Sequence, residues 1–193
     1  MGASTKGARM AVEGSDLRHP FQMEPGACYL IEERKPELAY RVFEVLLESR
    51  HLPGLVITRQ YPDRVKAEHD LGTSRLIWLS HTPGNDHQNP TALGTLAKTI
   101  AKFIEDSGGN ALVLIDGLEF LTVNSGFLQT LMFMEHVNEF VMQKKAIVLL
   151  PVNPEALDPK EVALLERNIE VVPGEAIRGD LEREEVARLL DAY

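Results

Sequence analysis

The sequence predicts an α/β fold, one domain with a mainly parallel sheet and helices on both faces, a doubly wound three-layer sandwich. Three observations carry this. Short apolar runs of strand length alternate along the chain with longer segments of helical period. The run Ala111-Leu112-Val113-Leu114-Ile115 is apolar throughout, as a strand buried on both faces must be. The intervening helical segments supply the crossovers that parallel pairing needs.

The elements follow in order. Residues 1–24 mix Gly, Ser, charges and Pro20 without an apolar period, and read as a flexible arm in which Leu17 and Phe21 dock near the domain. Ala27 to Glu32 is a first strand entered from Pro25-Gly26. Pro36 opens a helix, where its missing N–H costs nothing, and Leu38, Ala39, Val42, Phe43, Leu46 and Leu47 give it one apolar face down to about His51. Leu55 to Thr58 is a second strand ending at Arg59, Pro62 to His69 a short helix, and Leu76 to Leu79 a third strand ending at Ser80. A polar loop covers 81–90. Thr91 is placed to cap a helix that buries Leu93, Leu96, Ile100, Phe103 and Ile104 and stops at Gly108. The fourth strand carries Asp116 at its carboxyl end. Phe127 to Lys144 is a helix, and Ala146 to Leu150 a fifth strand ending at Pro151. Asp158 caps a helix through Arg167, Ile169 to Val172 adds an edge strand, and Leu181 to Tyr193 is an acidic amphipathic helix. The division is an arm (1–24), an α/β domain (25–173) and a C-terminal helix (174–193).

Composition bounds the function. The 193 residues carry 29 acidic against 20 basic side chains, a formal charge of -9, which repels phosphate backbones and argues against general nucleic-acid binding. No apolar run approaches the roughly 18 residues of a membrane span, and the first residues lack the apolar core of a secretion signal. The single Cys28 forms no internal disulfide and agrees with a reducing, cytoplasmic location.

Four segments resemble a known family: Tyr29-Leu30-Ile31-Glu32-Glu33, Gly54 to Pro62 with its Ile57-Thr58-Arg59, Ile77-Trp78-Leu79-Ser80, and Leu114-Ile115-Asp116-Gly117-Leu118-Glu119-Phe120-Leu121. Together they are similar to the domain of unknown function 835, a mainly archaeal family also fused to sensor and kinase modules. The resemblance covers roughly Pro25 to Arg167 and implies a signalling context without an established chemistry. A more distant likeness is to KaiC and RecA-type ATPases, which implies a RecA/KaiC-like sheet with Asp116 in the place of the magnesium-site aspartate. The rest of that machinery is missing. No G-x-x-x-x-G-K-S/T occurs, and the segment in the phosphate-loop position, Glu33-Arg34-Lys35-Pro36, has no glycine and lacks one backbone donor at Pro36. Where a catalytic Glu pair would end the second strand stands Arg59-Gln60, and a cation cannot serve as the base that activates water.

The carboxyl ends of the strands gather Glu32, Glu33, Arg34, Arg59, Ser80, His81, Asp116 and Pro151 along one rim. An Arg59–Asp116 contact across it reads either as a structural ion pair, the simpler account, or as part of a small polar pocket for a ligand or a switching partner. His81, Asp86 and His87 share ligand chemistry with zinc sites but lack a fourth ligand and read as a solvated loop. Ser80-His81 is not a hydrolase pair, since neighbours in a strand point to opposite faces and no G-x-S-x-G accompanies them. Cys28 reads as a packing residue. The Met-rich helix around Met134 and the terminal stripe with Leu189 and Leu190 read as core or as interface.

These readings lead to a non-catalytic cytoplasmic regulatory or protein-interaction module of an archaeal-type signalling system. It is expected to have a protein partner, with a homo-oligomer one option, and no cofactor, metal or membrane span. The alternative is a nucleotide-binding, ATPase-like protein with an unconventional phosphate site, whose ligands would be ATP and magnesium.

Overall fold

Seven parallel strands form one sheet in the order β4-β3-β2-β5-β6-β1-β7. The computed structural model describes residues 23–191 and the side chains of 23–183. The strands are β1 (Ala27–Glu32), β2 (Gly54–Thr58), β3 (Arg75–Leu79), β4 (His87–Gln88), β5 (Leu112–Asp116), β6 (Ile147–Val152) and β7 (Glu170–Pro173). The helices are α1 (Glu37–Arg50), α2 (Pro62–Glu68), α3 (Leu93–Asp106), α4 (Leu118–Ser125), α5 (Phe127–Met142), α6 (Pro159–Glu166) and α7 (Gly174–Asp191).

Alternation along the strands divides the core into two layers. Val113 and Ile115 of β5 pack with Leu96, Ile100 and Ile104 of α3 and with Met134, Val137 and Val141 of α5. Leu112 and Leu114 point the other way, onto Tyr40, Phe43 and Leu46 of α1 and Ile177 of α7. The inner strands are buried end to end, which is why they read as unbroken apolar runs. Among the described residues no helix is long and apolar enough to cross a membrane.

Several elements depart from the sequence reading. The loop 81–90 contains β4, two residues whose backbone continues the sheet from Trp78 and Leu79. Thr91 does not cap α3: its N–H and hydroxyl both turn back to Asn89 Oδ1, and the helix starts from Ala92 without a side-chain cap. A helix, α4, follows Asp116-Gly117 directly, in a stretch to which the sequence reading assigns no element. Gly126, at φ +83°, separates it from α5. The last helix begins at Gly174, earlier than the apolar stripe suggests. Met23 and Glu24, assigned to the arm, are tied to the domain: Met23 is buried, and Glu24 N–H donates to Tyr29 Oη at 2.6 Å. The remainder of the arm, with Leu17 and Phe21, lies outside the described residues. Asp158 does cap α6 as expected, and Glu161 makes the cap reciprocal.

Pro151 lies inside β6 rather than after it, paired in register with Ile31. Ile147 directs its N–H to Ala111 on the β5 side, so by alternation residue 151 would do the same. Proline has no N–H to give, and the β5–β6 ladder has already ended at Leu114–Leu149. The two strands part there, and their separation opens a cleft at the carboxyl edge of the sheet.

Candidate functional site

The ends of β2 and β5 form a topological switch point. After β2 the chain moves through α2 toward β3, while after β5 it moves through α4 and α5 toward β6 on the other side. Open α/β sheets bind ligands in such crevices. Gly117 makes the turn possible: its φ is +145°, and a Cβ there would approach Leu79 Cδ1 to 3.1 Å.

Asp116 sits at this point, 7 % exposed, on the α1 face of the sheet. Its Oδ2 accepts three hydrogen bonds, from Thr58 Oγ1 at 2.7 Å, Gln60 Nε2 at 3.0 Å and Tyr40 Oη at 3.2 Å. Thr58 is opposite Asp116 in the β2–β5 register, so strand alternation puts both side chains on one face. Tyr40 belongs to the buried face of α1 and is held flat against His69, with ring centroids 4.0 Å apart. His69 Nδ1 lies 3.2 Å from Glu44 Oε1, which anchors the stack. Burial and the neighbouring Asp116 carboxylate both push the Tyr40 phenol upward, so it stays a donor.

The expected Arg59–Asp116 side-chain pair does not form. Arg59 N–H donates to the backbone oxygen of Asp116 at 3.1 Å, and Arg59 O accepts from Trp78 Nε1 at 3.1 Å. The guanidinium is exposed and makes no ion pair among the described residues. Neutral donors on the same face as Asp116 have taken the role that charge alone suggested for Arg59. Thr58 and Tyr40 were hidden in the sequence as ordinary core residues, although strand alternation from Asp116 points to Thr58.

Glu33 is the second carboxylate of the rim. Its Oε2 accepts from Leu38 N–H at 2.8 Å and its Oε1 from Ala39 N–H at 2.9 Å, so it closes the amino end of α1. Burial pushes this acid up to about 7, against those two N–H groups, with further upward pressure from the Asp116 and Glu37 carboxylates. Glu119, at the start of α4, accepts from Asn153 N–H at 2.7 Å and ties the ends of β5 and β6.

Two recesses meet at Asp116. The cleft between β5 and β6, about 360 Å³, is walled by Arg34, Arg59, Phe120, Val123 and Pro151 over Glu33, Asp116 and Glu119. A second recess, about 420 Å³, lies toward α2 and takes in Lys35, Gln60, Arg64 and His69. A larger one, about 570 Å³, lies at the opposite edge of the sheet beside Glu44 and Asp70, far from the switch point.

The remaining rim residues do not converge on Asp116. Ser80 Oγ accepts from Thr82 N–H, and His81 Nε2 lies 2.9 Å from Asn124 Oδ1 of α4. Glu32, half-buried, lines neither recess. Asp86 is taken by Arg75, and His87 Nδ1 lies 2.8 Å from Thr82 O. No group of three His, Cys, Asp or Glu able to hold a metal occurs among the described residues. Cys28 is buried and its thiol is pushed up to about 12 by burial, which leaves it a packing group. Met134 is 1 % exposed and cannot meet a partner; the apolar side chains that α4 and α5 do expose are Val123, Leu128, Met132 and Met142. The side chains of Leu189 and Leu190 lie outside the described residues.

A family model described as "Protein of unknown function (DUF835)" matches residues 32–169, well over half of the chain. The chain is a member of the DUF835 family. Its matched region runs from the last residue of β1 to the residue before β7 and contains the whole Asp116 site. No curated protein matches this DUF835 chain significantly. Among solved structures it is similar to the Pyrococcus horikoshii OT3 protein PH0250, with 15 % identity and a TM-score of 0.56 over 78 % of this chain and 82 % of that one. It is also similar to the KaiC-like protein PH0186 from the same archaeon, with 12 % identity and a TM-score of 0.56 over 77 % and 73 % of the two chains. At such identities the likeness shows a shared KaiC-like fold and nothing finer.

Proposed function

We propose that this DUF835 chain is a non-catalytic regulatory and protein-interaction module, working in the cytoplasm of an archaeal-type signalling system, on a KaiC-like sheet that no longer takes nucleotide phosphates. The observation that carries the reading is the Glu33 carboxylate on the N–H groups of Leu38 and Ala39. The amino end of the helix after a first strand is where backbone N–H groups and the helix dipole receive a phosphate. Here the protein's own carboxylate occupies those donors, and a phosphate brought there would meet it with like charge. Arg59-Gln60 at the end of β2 adds to this, since neither side chain can act as a general base toward water.

The apolar surface of Val123 on α4 with Leu128 and Met132 on α5 supports a protein partner. Asp116 at the switch point is the one observation on the side of a nucleotide-binding reading, with magnesium held near its carboxylate. A thermal-shift series with ATP, GTP and cyclic dinucleotides, each with magnesium, separates the two. No stabilisation is expected at any concentration. A ligand at about 100 times its dissociation constant raises stability by about 2.7 kcal/mol, and a shift of that size with ATP overturns the proposal.

A further inference from the structure

We propose that the cleft between the ends of β5 and β6 binds a small zwitterion, an α-amino acid with an apolar side chain, whose ammonium group rests on Asp116. The inference builds on the reading that this edge no longer takes phosphates. Asp116 is 7 % exposed, and all three of its donors converge on Oδ2. Its Oδ1 receives no donor among the described residues and is not among the sealed-off, unpaired polar atoms, and Asp116 lines the cleft. A carboxylate oxygen so deeply placed is completed by a group that carries N–H donors.

An ammonium suits that position better than a neutral amide. The lining of the cleft brings together the carboxyl groups of Glu33, Asp116 and Glu119, and of these Asp116 is the most deeply buried. Glu33 spends both oxygens on backbone N–H groups and Glu119 spends one, which leaves Asp116 as the principal anchor. Arg34 and Arg59, in the same lining, bring the opposite sign. Arg59 is exposed without an ion pair among the described residues, and Arg34 holds only a solvent-exposed contact with Glu155 at 3.6 Å. Such a pair of solvated ions is weak, so both guanidinium groups are available to a ligand carboxylate, which arginine grips in bidentate fashion.

The rest of the wall is apolar. Phe120, Val123 and Pro151 line it, and Val123 stands 85 % exposed, an apolar side chain with nothing over it. The volume of about 360 Å³ is at the lower end of the range for small-molecule clefts, which favours a compact ligand. An acidic, a basic and an apolar part of one lining are the three recognition elements of an apolar α-amino acid.

Amide proton–nitrogen correlation spectra of the full chain, titrated with each of the twenty L-amino acids, test this. Saturable shifts at Gly117 and its neighbours are expected for apolar members such as leucine. Isoamylamine, which is leucine without its carboxylate, and isocaproate, which is leucine without its amine, are each expected to bind about tenfold more weakly. Asp116→Asn keeps an acceptor for Tyr40, Thr58 and Gln60 but loses the charge, and should weaken leucine binding by about tenfold, as loss of the ligand's amine does. Should that variant fail to fold, Arg59→Gln changes only an exposed side chain and is expected to weaken leucine binding by about tenfold through the lost carboxylate contact. Silence with every amino acid, isoamylamine binding as tightly as leucine, or unchanged affinity in the folded variants overturns the inference. Magnesium-ATP moving the same resonances overturns instead the reading that phosphates are excluded, and amino-acid silence without any ATP response leaves that reading standing.

Discussion

The ends of β1 and β5 lie on the same edge of one sheet, each followed closely by a helix and each carrying a carboxylate, yet they account for their hydrogen bonds in opposite ways. At the end of β1, Glu33 turns inward and gives both oxygens to the first turn of α1. At the end of β5, Asp116 commits a single oxygen to three side chains and leaves the other without a donor among the described residues, in a residue that lines the cleft. The first site is self-satisfied and the second is half open. Position on a sheet edge therefore does not make a ligand site; the supply of donors around the carboxylate does.

The half-open site is most exposed to truncation. Asp116→Ala leaves the Tyr40 and Thr58 hydroxyls, both in buried residues, and the Gln60 amide without their shared acceptor. A loss of about 1–3 kcal/mol is expected in urea unfolding, since stranded buried donors forfeit their hydration. Asp116→Asn, which keeps an oxygen for those donors, should lose less. Equal stability of the alanine variant and the native chain would mean that the network does not hold the site together.

The self-satisfied site should respond less strongly, and in a pH-dependent way. Glu33→Ala removes a cap from two N–H groups, for which about 1 kcal/mol is the ordinary cost. Because burial raises the Glu33 acid from 4.5 to about 7, the folded chain holds this proton more tightly than the unfolded one. The resulting stability is full below 4.5 and is lost as pH rises through 7. Denaturant unfolding at pH 5 and pH 8 should therefore show the native chain losing more stability than Glu33→Gln over that interval. A difference between the two proteins that is flat, or that runs the other way, would show that the helix-terminal N–H groups outweigh burial.

Arg59 should matter least to the fold. With an exposed guanidinium that makes no ion pair among the described residues, Arg59→Gln is expected to change stability by less than about 0.5 kcal/mol. A much larger loss would restore the Arg59–Asp116 ion pair that charge alone suggests.

Much of the architecture was legible before the structure. Strand–helix alternation located β1, β2, β3, β5, β6 and β7 within a residue or two, and Asp158 was readable as a cap from its type and position. The elements that escaped are those without a local signature. The two residues of β4 are too short to show a period, and the eight of α4 carry apolar side chains on more than one face. Of the candidate site, Glu33, Arg59 and Asp116 do gather in one cleft, while Ser80 and His81 turn to partners of their own.

The sequence by itself determined the kinds of elements, their order and the placing of Asp116 at a strand end, because periodicity and Gly/Pro punctuation act between residues a few positions apart. Only the tertiary structure decided what that aspartate meets. Tyr40, Thr58 and Gln60 lie 76, 58 and 56 residues from it along the chain, and they reach its oxygen because α1 packs across the sheet and β2 pairs with β5. The lining of the cleft has the same origin: Asp116 and Pro151 meet in it because β5 and β6 are neighbours in the sheet, although 35 positions separate them along the chain.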